Sequence, residues 1–207
     1  MSDLGGTIRE RLTIGRLGEG NIRRKASGWW GMMTLIATEG FLFVYLLFSY
    51  YFFAVQYGRS WLPDELPEFR LSAPDTAILL LSSVAVWFGE RGLRQGSRLR
   101  HLLGLAAGVV LGIVFVVIQS MEWMSKPFGI SSSSYGSLYF TITGFHMAHV
   151  VAGIFILASL TLWSALGYFD RTRSSTVHIG VIYWHFVDAV WLFIFFTIYV
   201  TPRLGLG

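Results

Sequence analysis

Residues 101–122 read HLLGLAAGVVLGIVFVVIQSME, and none of the residues between His101 and Glu122 is charged. At the α-helical rise of about 1.5 Å per residue, this stretch is long enough to cross the roughly 30 Å apolar core of a bilayer. A chain in that environment must satisfy its backbone polar groups internally, which favours a helix. The stretch therefore predicts a transmembrane helix.

Four further apolar runs are also long enough to cross the bilayer core. The five predicted spans cover 29–55, 75–93, 101–122, 137–166 and 178–201. Charged residues make up 14% of the 207 residues, whereas soluble domains average about 25%. The sequence therefore predicts an all-α polytopic membrane protein, a bundle of five transmembrane helices. Residues 1–28 would form a basic cytoplasmic segment, and residues 202–207 a short tail.

The positive charges indicate how the bundle is oriented. Of the 16 Lys and Arg residues, 12 fall in the N-terminal segment and in the 91–100 and 167–177 loops, which share one side of the membrane. The other side receives Arg59, Arg70, Lys126 and Arg203. Because positive residues concentrate in cytoplasmic loops, we expect the N-terminus inside and the C-terminus outside. An odd number of spans preserves this asymmetry.

The composition also excludes several function classes. The chain has no cysteine, which rules out disulfides, thiolate metal sites and covalently attached c-type haem. The net charge of +4 comes from Lys and Arg placed between apolar runs, which is the pattern that sets membrane topology. We therefore expect no nucleic acid as a partner.

Ionisable residues inside membrane spans are costly and mark functional or structural sites. The helical rise places Glu39 and Asp188 about 15 Å deep and His149 about 18 Å deep, with His146 one turn away. These four residues are therefore predicted to form one buried polar layer near the membrane midplane. A carboxylate at this depth needs a proton or a partner, so we expect Glu39 to be protonated or paired with a histidine.

Three interpretations of this polar layer remain open from the residues alone. The groups could bind one another and fix the helix packing, or hold lipid headgroups. They could ligate iron, manganese, zinc or haem, although the chain has no Glu-x-x-His pair of the di-iron type. They could also form a proton relay or transporter site, although no inverted repeat is present.

Two other features are predicted to be structural. His101 and His178 lie at span ends beside basic loops, which predicts an interfacial position rather than a ligand role. Gly104, Gly108 and Gly112 form a stripe of small residues along one face of the third span, which predicts a close contact with another helix.

Four segments carry a resemblance to a known family. They are 30–43 (WGMMTLIATEGFLF), 75–83 (DTAILLLSS), 119–123 (QSMEW) with 143–153 (TGFHMAHVVAG), and 183–192 (YWHFVDAVWL). In this order the chain resembles subunit III of the haem–copper respiratory oxidases, in the short five-helix form. The most specific strings are Gly-Phe-His-x-x-His and Tyr-Trp-His-Phe-Val-Asp-x-Val-Trp.

The resemblance implies a supporting subunit that binds no redox cofactor, with haem and copper held by the catalytic subunit I, subunit II and further small subunits. It also implies bound structural phospholipid and, with the charge asymmetry, the cytoplasmic membrane of a bacterium. Glu39 matches the family's buried, carbodiimide-reactive carboxylate. The residues matched to family motif and packing positions are Gln119, Glu122, Trp184, His185 and Trp191.

The chain departs from the family pattern in two places. Trp87 stands where many relatives carry a histidine, and the two N-terminal helices of the longer form are absent. A count of histidines agrees with a supporting role, because the catalytic subunit needs six and this chain has five. Two alternatives remain open, an accessory subunit of a nitric oxide reductase and an independent metal-binding membrane enzyme.

Overall fold

The computed structural model describes residues 27–63, 69–169 and 174–204, and these residues form five long helices without a strand. The helices are α1 (Ser27–Tyr57), α2 (Phe69–Arg94), α3 (Arg98–Ser125), α4 (Ser134–Ala165) and α5 (Ser175–Phe195). Each is long and apolar enough to cross a membrane. The predicted fold class is therefore confirmed. Most of the predicted segment 1–28 and the end of the 202–207 tail lie outside the described residues.

Two of the helices extend differently from the predicted spans. Helix α2 begins at Phe69 rather than at 75, so that Pro74 lies inside it. Pro74 is the sixth residue of this helix and has no backbone N–H to donate to the carbonyl four residues earlier, that of Arg70. Helix α5 continues through a π-helical turn, Phe196–Val200, into a 3₁₀ turn, Thr201–Leu204.

Glycine ends the two helices that meet the 91–100 and 167–177 loops. Gly96 follows α2 with φ +78° and Gly167 follows α4 with φ +85°, a conformation that side chains with a Cβ rarely adopt. After α2, the Ser97 N–H donates to the Gly92 carbonyl over 2.9 Å. This is the Schellman closure that satisfies the last carbonyls of a helix.

The helices divide into an inner ring and one outer helix. Helices α2, α3, α4 and α5 each pack against two neighbours and close a four-helix ring, in which α5 contacts α2. Helix α1 packs mainly on the outside of α4 and α5. It buries only Phe43, Tyr50 and Ala54.

The glycine stripe of α3 produces the tightest contact in the ring. A Cβ on Gly104 would lie 2.4 Å from the Cα of Gly89, and a Cβ on Gly108 would lie 2.3 Å from Val86. The backbones of α2 and α3 therefore touch directly, as small residues allow in membrane bundles. The predicted helix contact along this stripe is confirmed.

Candidate functional site

The structure brings Glu39 of α1 and His149 of α4 together. Glu39 Oε2 lies 3.1 Å from His149 Nε2, and the two side chains are 34% and 15% exposed. His149 Nδ1 lies 2.6 Å from the carbonyl oxygen of Phe145. Because a carbonyl can only accept, Nδ1 carries a proton.

This arrangement fixes the proton count of the Glu39–His149 pair. A neutral imidazole with its proton on Nδ1 accepts at Nε2 from a protonated Glu39, whereas an imidazolium donates there to the carboxylate. Either way, one proton lies between the two groups and the pair is neutral overall. The contact can therefore hold an acid at the α1–α4 interface without leaving a net charge.

His146 lies one turn from His149 but in a different environment. Its ring stacks on Trp191 at 4.9 Å, and the edges of Phe115 and Phe43 lie 5.9 and 6.4 Å away, centroid to centroid. Neither ring nitrogen has a hydrogen-bond partner among the described residues. Phe43 also lies 5.1 Å from the His149 ring, so one phenyl ring contacts both histidines.

Besides the contacts of His178 with Glu90 and Arg94 near the helix ends, three side-chain hydrogen bonds join α2 and α5, and we call these three bonds the α2–α5 seam. The bonds join Trp191 Nε1 to Thr76 Oγ1 (2.9 Å), Trp184 Nε1 to Ser82 Oγ (3.1 Å) and His185 Nδ1 to Ser83 Oγ (2.6 Å). The earlier residue of α2, Thr76, pairs with the later residue of α5, Trp191, so the two helices run antiparallel. Every residue in these bonds comes from one of two segments that carry the family resemblance, 75–83 and 183–192. The two segments therefore contact each other in the fold.

Trp184 is the point where all four ring helices meet. Its indole bonds Ser82 of α2, and its ring fills the space left by two glycines. A Cβ on Gly112 of α3 would lie 2.7 Å from this ring, and one on Gly153 of α4 would lie 2.8 Å away. The missing side chains are therefore what admits the largest buried residue of the core.

Asp188 lies on α5 between Trp184 and Trp191. It is buried, and neither carboxylate oxygen has a hydrogen-bond partner among the described residues. Of the four residues of the predicted polar layer, the structure thus joins Glu39 and His149 directly. It places His146 beside them in an aromatic cage, and Asp188 three residues from Trp191, on which His146 stacks.

A second polar group, which we call the Glu122 cluster, lies where α3, α4 and α5 meet. Glu122 Oε1 accepts from Lys126 Nζ (2.9 Å) and the hydroxyl groups of Tyr199 (2.7 Å) and Tyr139 (3.5 Å). Gln119, one turn before Glu122, is buried, with neither amide atom bonded among the described residues. The cluster neutralises Glu122 with a lysine four residues further on.

Sequence reasoning did not single out two buried acids, Asp75 and Glu90, as polar sites. Asp75 is buried on α2, close enough to Glu122 for their charges to interact. Glu90 lies 2.5 Å from Arg94 and 2.7 Å from His178. A signal for the second acid was present, because Glu90 and Arg94 stand at the i, i+4 spacing of a helical ion pair.

His101, in the first turn of α3, is enclosed by neighbouring helices and is buried. Its Nδ1 donates to the Gly89 carbonyl over 3.0 Å, and its Nε2 accepts from the Ser164 hydroxyl at 2.7 Å. Because Gly89 and Gly104 let α2 and α3 approach closely, this histidine is enclosed and joins α2, α3 and α4.

Some of these polar groups bond one another, as Glu39 and His149 do, whereas others, such as His146, are enclosed without a partner among the described residues. Within residues 27–63, 69–169 and 174–204, no group of three or more His, Cys, Asp or Glu residues could hold a metal ion. The arrangement can hold helices in register and keep one shared proton at the α1–α4 interface.

Comparisons with known proteins agree with this geometry. Residues 16–202 match the family described as cytochrome c oxidase subunit III. The chain is 34% identical to cytochrome c oxidase subunit 3 of Scyliorhinus canicula and of Danio rerio, over 82% of this chain and 68% of each relative. The corresponding protein of Drosophila melanogaster is 35% identical over the same shares. These matches confirm the resemblance drawn from the four segments, and the chain belongs to the cytochrome c oxidase subunit III family.

Proposed function

We propose that this chain is the non-redox subunit III of a proton-pumping haem–copper terminal oxidase, the complex that reduces oxygen to water. Its role is to stabilise the catalytic subunit, bind structural lipid and sustain proton uptake. The α2–α5 seam is the observation that carries the proposal. There the polar side chains of two segments that carry the family resemblance bond each other across the α2–α5 interface. These side chains therefore serve helix packing, as expected of a supporting subunit.

The histidines support placing haem and copper in partner subunits. Four of the five already bond protein groups, namely Glu39 for His149, Glu90 for His178, Ser83 for His185, and Gly89 with Ser164 for His101. The fifth, His146, is enclosed by aromatic rings. We assign the redox centres to catalytic subunit I and to subunit II, and we expect further small subunits in the complex.

The location and orientation follow from the charge distribution. We place the chain in the cytoplasmic membrane of a bacterium, with the N-terminus inside and the C-terminus outside. The 12-to-4 split of Lys and Arg supports this orientation. The turn between α2 and α3, with four arginines on the helix ends that flank it, would then face the cytoplasm.

Glu39 has a supporting role in this proposal. The Glu39–His149 pair holds one proton and no net charge, which suits a group that seals the α1–α4 interface. We infer that Glu39 shields the bundle and does not carry pumped protons.

Purification of the tagged chain in mild detergent tests the assignment. We expect a haem–copper catalytic subunit to co-purify, with oxygen consumption by the eluate. Co-purification of a nitric oxide reductase instead would contradict the proposal; the family match favours the oxidase over that alternative. Metal bound stoichiometrically to the isolated chain would contradict it as well, and would favour an independent metal-binding enzyme.

A further inference from the structure

A surface pocket of about 350 Å³ lies beside the last turns of α2. Its wall includes Trp87, Glu90, Arg91, Arg94 and Gln95. The volume falls within the range of roughly 300–1,000 Å³ that is usual for ligand sites. The pocket lies at the end of a membrane-spanning helix.

The two arginines of the pocket differ in how they are engaged. Arg94 is paired with Glu90, whose carboxylate also bonds His178, so the one acid in the wall is already neutralised. Arg91 lies over the Trp87 ring, 5.3 Å from its centroid. Among the described residues, no carboxylate pairs with Arg91. Its guanidinium is therefore held in place by stacking while its N–H donors stay available.

The surrounding charge favours an anion. The turn that joins α2 to α3 brings together Arg91, Arg94, Arg98 and Arg100, with Glu90 the only acid between 90 and 100. Two of these arginines are committed elsewhere, because Arg98 donates to the Ala165 carbonyl and Arg100 to Gln95. The pocket is left with Arg91 as its free cation in a region of excess positive charge.

An apolar surface adjoins this cation. Trp87 and Phe88 are 44% and 58% exposed on the membrane-spanning part of α2. A ligand with a phosphate and an acyl chain would fit both features, because phosphate groups lie at the membrane interface and acyl chains lie below it. Guanidinium groups bind phosphate oxygens through two parallel hydrogen bonds, which gives both strength and orientation.

We propose that this pocket binds the phosphate of one anionic phospholipid, with Arg91 as the phosphate-binding residue and the acyl chains along Trp87 and Phe88. The proposal rests on the proposed function, since lipid binding is part of it, and it assigns that role to a defined site. Lipid is favoured over free phosphate because the cation and the exposed apolar rings are adjacent.

Lipid retention by the purified oxidase complex tests this site. The complex is prepared with wild-type chain, with Arg91→Gln, with Arg91→Lys and with Arg59→Gln, an exposed arginine at the other end of the bundle. After delipidation, native mass spectrometry counts the phospholipids. We expect Arg91→Gln to retain one fewer than wild type, Arg91→Lys to retain it weakly, and Arg59→Gln to match wild type. Equal retention in all four would overturn the proposal.

Adding lipid back distinguishes the source of the phosphate. Phosphatidylglycerol should raise the thermal midpoint of the delipidated wild type and of Arg59→Gln, but not of Arg91→Gln, and phosphatidylcholine should act weakly. An equal rise with inorganic phosphate alone would overturn the lipid assignment. Haem content and oxygen consumption are measured in every sample. A complex that contains no catalytic subunit would count against the proposed function instead of against the pocket.

Discussion

The α2–α5 seam and the Glu39–His149 pair are both polar contacts between helices, but they are built differently. The seam joins uncharged donors and acceptors around Trp184 and Trp191, two of the largest fully buried side chains. The pair joins ionisable groups at the edge of the ring, where Glu39 keeps a third of its surface exposed. The comparison indicates that the seam holds the ring together, whereas the pair closes one side of it.

We expect the α2–α5 seam to contribute more to stability than the Glu39–His149 pair, and the reason is packing. Hydrogen bonds between membrane helices contribute about 0.6 kcal/mol on average, whereas removing a buried tryptophan costs about 3–5 kcal/mol. Trp184 combines its bond to Ser82 with a close fit against Gly112 and Gly153. Helix α1 has no comparable anchor, since it buries only three side chains.

Replacing Trp184 should have the largest effect. Trp184→Ala leaves a cavity where four helices meet, and we expect a loss of about 3–5 kcal/mol in the free energy of unfolding. Unfolding of the purified complex in increasing denaturing detergent measures it. Trp163→Ala, at a half-exposed tryptophan of α4, is the matched control and should cost far less. Equal losses would remove the distinction between the seam and the periphery.

Adding a side chain at Gly153, against the Trp184 ring, should have the next largest effect. Gly153→Ala places a Cβ 2.8 Å from the Trp184 ring, and overpacking of this kind costs about 1–3 kcal/mol. Gly31→Ala is the control, because nothing lies within 4 Å of a Cβ there. The same detergent titration should show a loss for Gly153→Ala alone. A stable Gly153→Ala variant would mean that the indole has room to move.

Deleting one seam bond should have a smaller effect. Ser83→Ala removes the partner of His185 Nδ1, and we expect a loss of about 0.6–1.7 kcal/mol. Ser49→Ala is the control, since that exposed hydroxyl bonds only the Tyr45 carbonyl of its own helix. If both serines gave the same result, the interhelical bond would contribute nothing measurable.

The smallest effect on stability is expected at the Glu39–His149 pair. In Glu39→Gln the amide N–H can still donate to a neutral His149, so the contact survives without its shared proton. We expect a loss below about 1 kcal/mol, given the exposure of the pair. A double-mutant cycle with His149→Asn measures the coupling. A coupling as large as the Trp184→Ala effect would show that the pair, and not the seam, fixes the bundle.

The long apolar runs made the five helices predictable, because a bilayer core explains segments such as 101–122, which has no charge between its ends. The start of α2 was placed six residues too late because hydropathy marks only the apolar part of a helix, and residues 69–74 include Arg70 and Pro74. The contact along Gly104, Gly108 and Gly112 was predictable from spacing alone. Periodicity could indicate a polar face on each helix.

Which partner each polar residue meets was not readable from the sequence. The bonds from Trp184 and Trp191 to Ser82 and Thr76 depend on how α2 and α5 are rotated and shifted against each other, which hydropathy does not encode. The enclosure of His101 was not readable either, because its surroundings are set by the close approach of α2 and α3. The common depth of Glu39, His146, His149 and Asp188 stays a prediction.

The most direct test of a supporting role is the number of protons pumped per electron by the oxidase that contains Glu39→Gln. The complex is reconstituted into vesicles, and proton release is measured beside oxygen consumption, with subunit composition checked on the same sample. If Glu39 seals the α1–α4 interface and carries no pumped protons, the ratio equals that of the wild type. An intact complex that consumes oxygen but no longer pumps would contradict this account.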